Sequence, residues 1–260
     1  MPTTRVRGIG EAEAAAWAGE NAAHMKAVMR VFERSAARAR QRRAELFRKA
    51  FPLTGDTRIL DLGSENGANI HAVLKGTPVS PQNIYIADVR HDALERGAQL
   101  YGFQPVPLSE NGKLPFPDGF FDIVYCSSVI EHVTLPKNEV WSRMPNKVFR
   151  ERSLTHQREF AREIQRVGRQ FFVQTPYRWF VIEAHSWLPF VGWLPRWLVI
   201  PILRHSRKFW PKWCAPDWHL LDKRQLASMF DGAEIRDEKW CGLTKSIMAV
   251  KTEHEQAGAH

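Results

Sequence analysis

A doubly wound, mostly parallel α/β sheet is the fold that this 260-residue sequence predicts. Three observations predict it. Short apolar runs alternate with helical segments from residue 56 to residue 176, the first of these runs ends in a glycine-bearing turn, and the chain closes on two strand-like segments joined by a short turn. Alternating strands and helices imply parallel strands with crossover helices on both faces of one sheet. The closing pair makes the last strand antiparallel.

The elements follow in order. Residues 11–50 are rich in Ala, Arg and Glu with scattered apolar positions such as Trp17, Val28, Leu46 and Phe47, the pattern of one or two amphipathic helices. The proline and glycine of FPLTGD at 51–56 end that region. RILDLG is the first strand, and a helix runs from about Asn66 to Lys75. NIYIADV, FQPVPL and FDIVYCSS are the next strands, with a helix in HDALERGAQLYG between the first two. Residues 131–168 begin irregularly and settle into a charged helix, LTHQREFAREIQRVG, with Phe160, Ile164 and Val167 on one side. QFFVQTP is a fifth, buried strand. Residues 176–218 form a long aromatic and basic insertion, after which LLDKRQLASMF is a helix with Asp222 as its N-cap. AEIRDEKWCG and TKSIMAVK complete seven strands, and TEHEQAGAH is a frayed tail. The chain thus divides into a helical extension at 1–55 and a domain at 56–255 that carries the insertion.

Composition narrows the surroundings. With 44% apolar and 25% charged residues the chain is an ordinary folded protein rather than a disordered or fibrous one. Its net charge of +9 favours polyanions: nucleic acid, anionic lipid head groups or a phosphorylated substrate. Cys126, Cys214 and Cys241 lie far apart without ligand spacing, so no disulfide framework and no metal cluster is implied, and a reducing cytoplasm fits best. The N-terminus lacks the apolar core of an export signal. The most apolar stretch, Trp187 to Leu203, is broken by Pro189, Pro195, Arg196 and Pro201 and falls short of the roughly 20 apolar residues of a spanning helix.

The stretch ILDLGSENG places a glycine-bearing turn at the carboxyl end of the first strand, where an open parallel sheet binds its ligands. Gly63 lets the chain approach a ligand, Gly67 permits tight helix packing, and Asp61 ends the strand. One βα unit later Asp88 closes NIYIADV, where a carboxylate can accept both hydroxyls of a ribose. Two acids at this spacing point to a nucleoside. Glu65 stands where a glycine is expected, and the turn tolerates it if residue 65 keeps a negative φ.

RILDLGSENG, NIYIADV, KLPFPDGFFDIVYCSSVIEHV and FFVQTP, in this order and spacing from about Arg58 to Lys251, closely resemble the class I S-adenosylmethionine-dependent methyltransferases, type 11-like members included. The resemblance implies a Rossmann-like sheet and S-adenosylmethionine as cofactor. It implies that Asp61, Gly63, Ser64 and Gly67 surround the methionine part, Asp88 and Val89 the ribose and its surroundings, and Ser109 or Glu110 the adenine edge. Ser127 then faces the sulfonium, a cation that favours hydroxyls, carbonyls and aromatic faces.

Candidate bases lie at the same edge: His132 in IEHV beside Glu131, and His185 just past the fifth strand, with His219 further on. The insertion holds seven of the ten tryptophans beside several arginines and lysines. It reads as a lid whose rings pack onto the domain, as an element that dips Trp and Leu into an anionic membrane surface, or as a stacking platform for bases. The expected activity is methyl transfer to O or N of a small-molecule, sugar or lipid-linked acceptor, in the cytoplasm or peripherally at a membrane. Rivals are RNA or DNA methylation, for which no nucleic-acid module is recognisable, and a non-catalytic lipid-binding or scaffold protein with this fold. Oligomeric state leaves no trace in the sequence.

Overall fold

A computed structural model describes residues 30–31, 33–108, 113–142, 144–206, 210, 212 and 214–253. It comprises two compact units, 1–43 and 44–260. In the first, residues 33–43 are helical. The second carries a seven-stranded sheet of β1 (Ile59–Leu62), β2 (Ile84–Asp88), β3 (Gln104–Pro107), β4 (Phe121–Ser127), β5 (Gly168–Pro176), β6 (Glu234–Trp240) and β7 (Leu243–Lys251), in the order β3-β2-β1-β4-β5-β7-β6. Strands β1 to β5 pair in parallel, and β7 runs antiparallel to both β5 and β6. This is the predicted Rossmann-like sheet with its reversed last strand.

The sheet divides two cores, and the two-residue period of the strands decides which side chain joins which. Leu60, Val124, Cys126, Phe171 and Val173 enter one cluster, while their chain neighbours Ile59, Ile123, Tyr125 and Phe172 enter the other. Both faces being covered, β1 is buried along its whole length and reads as a continuous apolar run. One face is covered by α4 (Asn146–Val167) and α6 (Lys223–Ala227), the other by α1 (residues 44–50), α2 (Ala68–Leu74) and α3 (His91–Tyr101). Phe47 of α1 is fully buried against Tyr125 and Phe172. Asp222 caps α6 as expected, accepting the Gln225 N–H while the Gln225 side chain accepts the Asp222 N–H.

The insertion carries α5 (Arg196–Ser206), which the sequence reading did not resolve because Pro195 and Pro201 read as breakers. Pro195 lies just before the helix, where a missing N–H costs nothing, and Pro201 sits inside it. Val191, Val199, Leu203, Trp218 and Leu220 form a small core of their own beneath it. Helix α4 also starts at Asn146, two turns before the expected charged segment. No helix among the described residues is long and apolar enough to cross a membrane.

Candidate active site

The strand order reverses between β1 and β4, and the carboxyl ends of these two strands frame the candidate site. Gly63 (φ 76°) and Gly67 (φ 73°) both adopt the left-handed conformation. A Cβ on Gly63 would lie 2.5 Å from the Val129 side chain, so this glycine admits the β4 loop against the turn. The turn's amides are spent on β2: Gly63 donates to the Ala87 carbonyl at 2.7 Å, and Glu65 donates to Asp88 Oδ2 at 2.9 Å. The cradle offers a ligand side chains as well.

Two of these are unpartnered. Asp61 is 2% exposed, and its Oδ2 has no hydrogen-bond partner; neither has the buried Ser64 Oγ. Burial, then the charge of Asp88, pushes the Asp61 carboxyl well above the ordinary carboxylate range. An ammonium or N–H donor seated there would relieve both the orphaned oxygen and the stranded charge. Asp88 is buried too, its Oδ1 accepting the Arg90 N–H at 2.9 Å, and Val89 beside it is 58% exposed. A carboxylate with lone pairs to spare next to an open apolar side chain suits a ribose and its base. These residues fit S-adenosylmethionine. Ser109 and Glu110 lie outside the described residues.

Glu65 departs from expectation. Its φ is 56°, so the condition of a negative φ is not met, and a glutamate occupies a conformation that favours glycine. The hydrogen bond from its own N–H to Asp88 Oδ2 binds this turn to β2 and holds the residue there. The side chain points outward to Arg90, 3.4 Å away, with both partners largely exposed. The carboxylate thus neither fills the cradle nor faces a ligand's own carboxylate.

At the end of β4, Ser127 and the next residue, Ser128, both donate to Gln174 Oε1, at 2.7 and 3.1 Å. A short 3-10 turn, Ile130–His132, follows and brings the polar groups together. Glu131 is fully buried. Rather than facing a helix N-terminus, its Oε2 accepts from Thr175 Oγ1 at 2.9 Å and its Oε1 lies 3.7 Å from His185 Nε2. That distance exceeds hydrogen-bond reach and leaves Oε1 without such a partner. His185 Nδ1 meets Glu183 Oε1 at 2.6 Å. Burial alone would lower the imidazole's pKa; the two carboxylates outweigh it and raise it to about 10. Glu183 is correspondingly lowered: burial opposes ionisation, and His185 and Ser186 overcome it.

His132 lies beside this pair, its ring 4.6 Å from that of His185, and its Nδ1 is 3.3 Å from Asp217 Oδ1. Burial works against the Asp217 carboxylate, but the bond to His132 prevails and keeps it ionised. The structure thus brings the two candidate histidines together. His219 is set apart. Gln157 donates to the Ile130 and His219 carbonyls, so its Oε1 accepts from His219 Nδ1–H and leaves Nε2 with a buried lone pair. Burial, then Arg178 and Arg150, lowers the His219 pKa to about 4. Trp218 stacks on His185, and next to Trp218 a cavity of about 160 Å³ is lined by Arg150, Arg178, Arg196, Trp193 and His219. Asp217, Thr175, Arg150 and Arg178 escaped the sequence reading.

Comparison with known proteins agrees with this architecture. No curated protein sequence matches the chain. A structure from Nostoc punctiforme, described as a candidate O-methyltransferase, superposes with a TM-score of 0.50 at 14% identity, over 83% of this chain and 56% of that one. The PH0226 protein of Pyrococcus horikoshii superposes with a TM-score of 0.50 at 13% identity, over 84% of this chain and 89% of its own. These likenesses show the fold. The family model for a methyltransferase domain matches residues 60–170, from inside β1 to inside β5, and so takes in the whole cradle and the turn with Glu131 and His132. Over these residues the chain is similar to the methyltransferase-domain family.

Proposed function

We propose that the protein transfers a methyl group from S-adenosylmethionine to an oxygen or nitrogen of a small-molecule, sugar or lipid-linked acceptor that carries an anionic group. The observation that carries this reading is the sequence of groups along one edge: the orphaned Asp61 in the cradle, the His132–Asp217 pair beyond β4, and then the arginine-lined cavity. The cofactor supplies a methyl on a sulfonium, which is already an activated leaving group. The protein's part is to align the acceptor and relieve it of a proton. With Nδ1 held by ionised Asp217, His132 presents Nε2 to the acceptor side. His185, held between Glu131 and Glu183, is favoured in its protonated form and is the poorer base.

The cavity speaks for the anion. Arg196 gives its two terminal nitrogens to the Pro216 and Val140 carbonyls, while its Nε and the Arg150 Nε, both buried, have no partner. Burial, followed by repulsion from Arg150, lowers the pKa of Arg178. A phosphate or carboxylate between these two cations would relieve both. The space takes one such group rather than a polynucleotide backbone. Exposed Trp197, Phe190 and Trp193 on the insertion favour the lipid-linked form of this acceptor, presented at an anionic membrane surface.

The test is calorimetric titration with S-adenosylmethionine and S-adenosylhomocysteine, with Asp88→Ala as control, followed by S-adenosylhomocysteine release with phosphorylated acceptor pools. Binding lost in the control and turnover lost in His132→Asn are expected. Absence of binding at millimolar ligand would sink the reading, and RNA methylation with a steep salt dependence would replace its acceptor class.

A further inference from the structure

We propose that Glu131, His132 and His185 hold a divalent transition-metal ion at the acceptor side of the site. One ligand atom from each of these residues lies within 4.8 Å of the others. They come from two separate places, the turn after β4 and the insertion after β5, and neither shows ligand spacing in the chain.

What distinguishes the cluster from a chance meeting of polar groups is the layer behind it. Ligating histidines present one ring nitrogen to the ion and hand the other to a carboxylate, which fixes the ring. Both histidines here are so held: His185 Nδ1 by Glu183 Oε1 at 2.6 Å, His132 Nδ1 by Asp217 Oδ1 at 3.3 Å. His185 Nε2 thereby faces Glu131, and Nε2 is the nitrogen left to His132. Thr175 holds the other oxygen of Glu131, so Oε1, fully buried and without a hydrogen-bond partner, is the free acceptor. With metal–ligand bonds of about 2.0–2.2 Å, two ligands of a tetrahedral ion stand roughly 3.4 Å apart. The 3.7 Å between His185 Nε2 and Glu131 Oε1 is close to that. His132, its side chain 37% exposed, completes the group of three within 4.8 Å.

Two imidazoles and one carboxylate suit Zn²⁺, Co²⁺, Mn²⁺ or Fe²⁺ better than Ca²⁺ or Mg²⁺. Three protein ligands leave positions open for oxygens of the acceptor. Resting on the methyltransferase reading, this points to an acceptor with a hydroxyl next to a second oxygen donor. The ion acidifies the hydroxyl, whose proton leaves to solvent. The oxygen then takes the methyl carbon as the C–S bond breaks and its electron pair stays on sulfur. His132 then acts as a ligand, with the ion in place of a free base.

The experiment is titration of Co²⁺ into EDTA-treated full-length protein, without cofactor, read by visible d–d absorption and by the melting temperature. About one ion per chain is expected, with Kd raised at least about tenfold in His132→Asn and about hundredfold in His185→Gln and Glu131→Gln. Far-UV circular dichroism checks each variant. The exposed His132 gives a folded variant even if Glu131→Gln does not fold. No binding of Co²⁺, Zn²⁺ or Mn²⁺ at millimolar concentration, or unchanged affinity in both His132→Asn and His185→Gln, overturns the proposal. Calorimetry with S-adenosylhomocysteine on the same sample separates the failures: an ion without the nucleoside ends the methyltransferase reading, and the nucleoside without an ion ends the metal site.

Discussion

At the scale of single residues the site stores unfavourable charge that ligands relieve. Asp61 is the clearest case. A carboxyl whose pKa is raised by folding favours the folded state while protonated and costs stability once pH climbs above its ordinary value of 3.8. Asp61→Asn should therefore raise the melting temperature of cofactor-free protein at neutral pH by at least about 2 °C, and flatten its decline as pH rises. The same change should weaken S-adenosylhomocysteine binding by about tenfold or more, the worth of a charged hydrogen bond. A variant both less stable and equally avid would remove Asp61 from the cofactor site. His219 has the opposite sign. Its folded pKa of about 4 lies below the ordinary 6.5, so its contribution is complete above pH 6.5 and is lost as pH falls through 4. The shift corresponds to on the order of 3 kcal/mol. Denaturant midpoints across pH 4–6.5 should fall less steeply in His219→Gln than in the parent; identical slopes would refute this. Asp61, Gly63, Gly67 and Asp88 stood out as candidates because each lies at or next to a strand end beside a turn signal, and His132 and His185 because they follow the fourth and fifth strands. Their partners did not. Asp217 and Thr175 reach His132 and Glu131 only once β5 and the insertion are folded, and no periodicity encodes such a meeting.

Whole elements carry the cradle. Helix α3 lies against the β1–α2 turn so closely that a Cβ on Gly97 would come 2.4 Å from the Asn66 carbonyl oxygen and 2.8 Å from Ile86. Backbone cannot yield as a flexible side chain would. Gly97→Ala should gain a little helix propensity, about 1 kcal/mol, but lose more, about 1–3 kcal/mol, to overpacking. It should also displace the turn that Asp88 holds. The expected result is a lower denaturant midpoint together with weaker S-adenosylhomocysteine binding. Unchanged affinity would mean that α3 does not set the geometry of the cradle. Strands β1, β4 and β5 were legible because a strand buried on both faces must be apolar throughout. Helix α5 was hidden by its prolines, and the early turns of α4 by a segment, residues 146–153, whose polar and basic residues mask the few buried positions Phe149 and Ser153.

On the scale of the whole molecule, two features bear on where the acceptor is met. The chain carries a net charge of +9. The insertion has its own small core, yet leaves Trp197 70%, Trp179 52%, Phe190 50% and Trp193 41% exposed. Charge acts at a distance and is screened within about 10 Å at 0.1 M salt, whereas burial of a ring at a lipid surface is short-ranged and insensitive to salt. The two contributions can therefore be separated. Flotation with vesicles containing anionic lipid should carry the protein at low salt, and neutral vesicles should carry much less. Raising the salt should remove most of the binding by screening. Trp197→Ser should weaken partitioning about tenfold or more at fixed salt, since burying a large apolar side chain is worth about 1.5–3 kcal/mol. If the tryptophan variant floats as well as the parent, charge alone draws the protein to the vesicle and the exposed rings serve another contact. If neither vesicle carries it, the acceptor comes to the site from solution, and the anion held by Arg150 and Arg178 belongs to a soluble molecule.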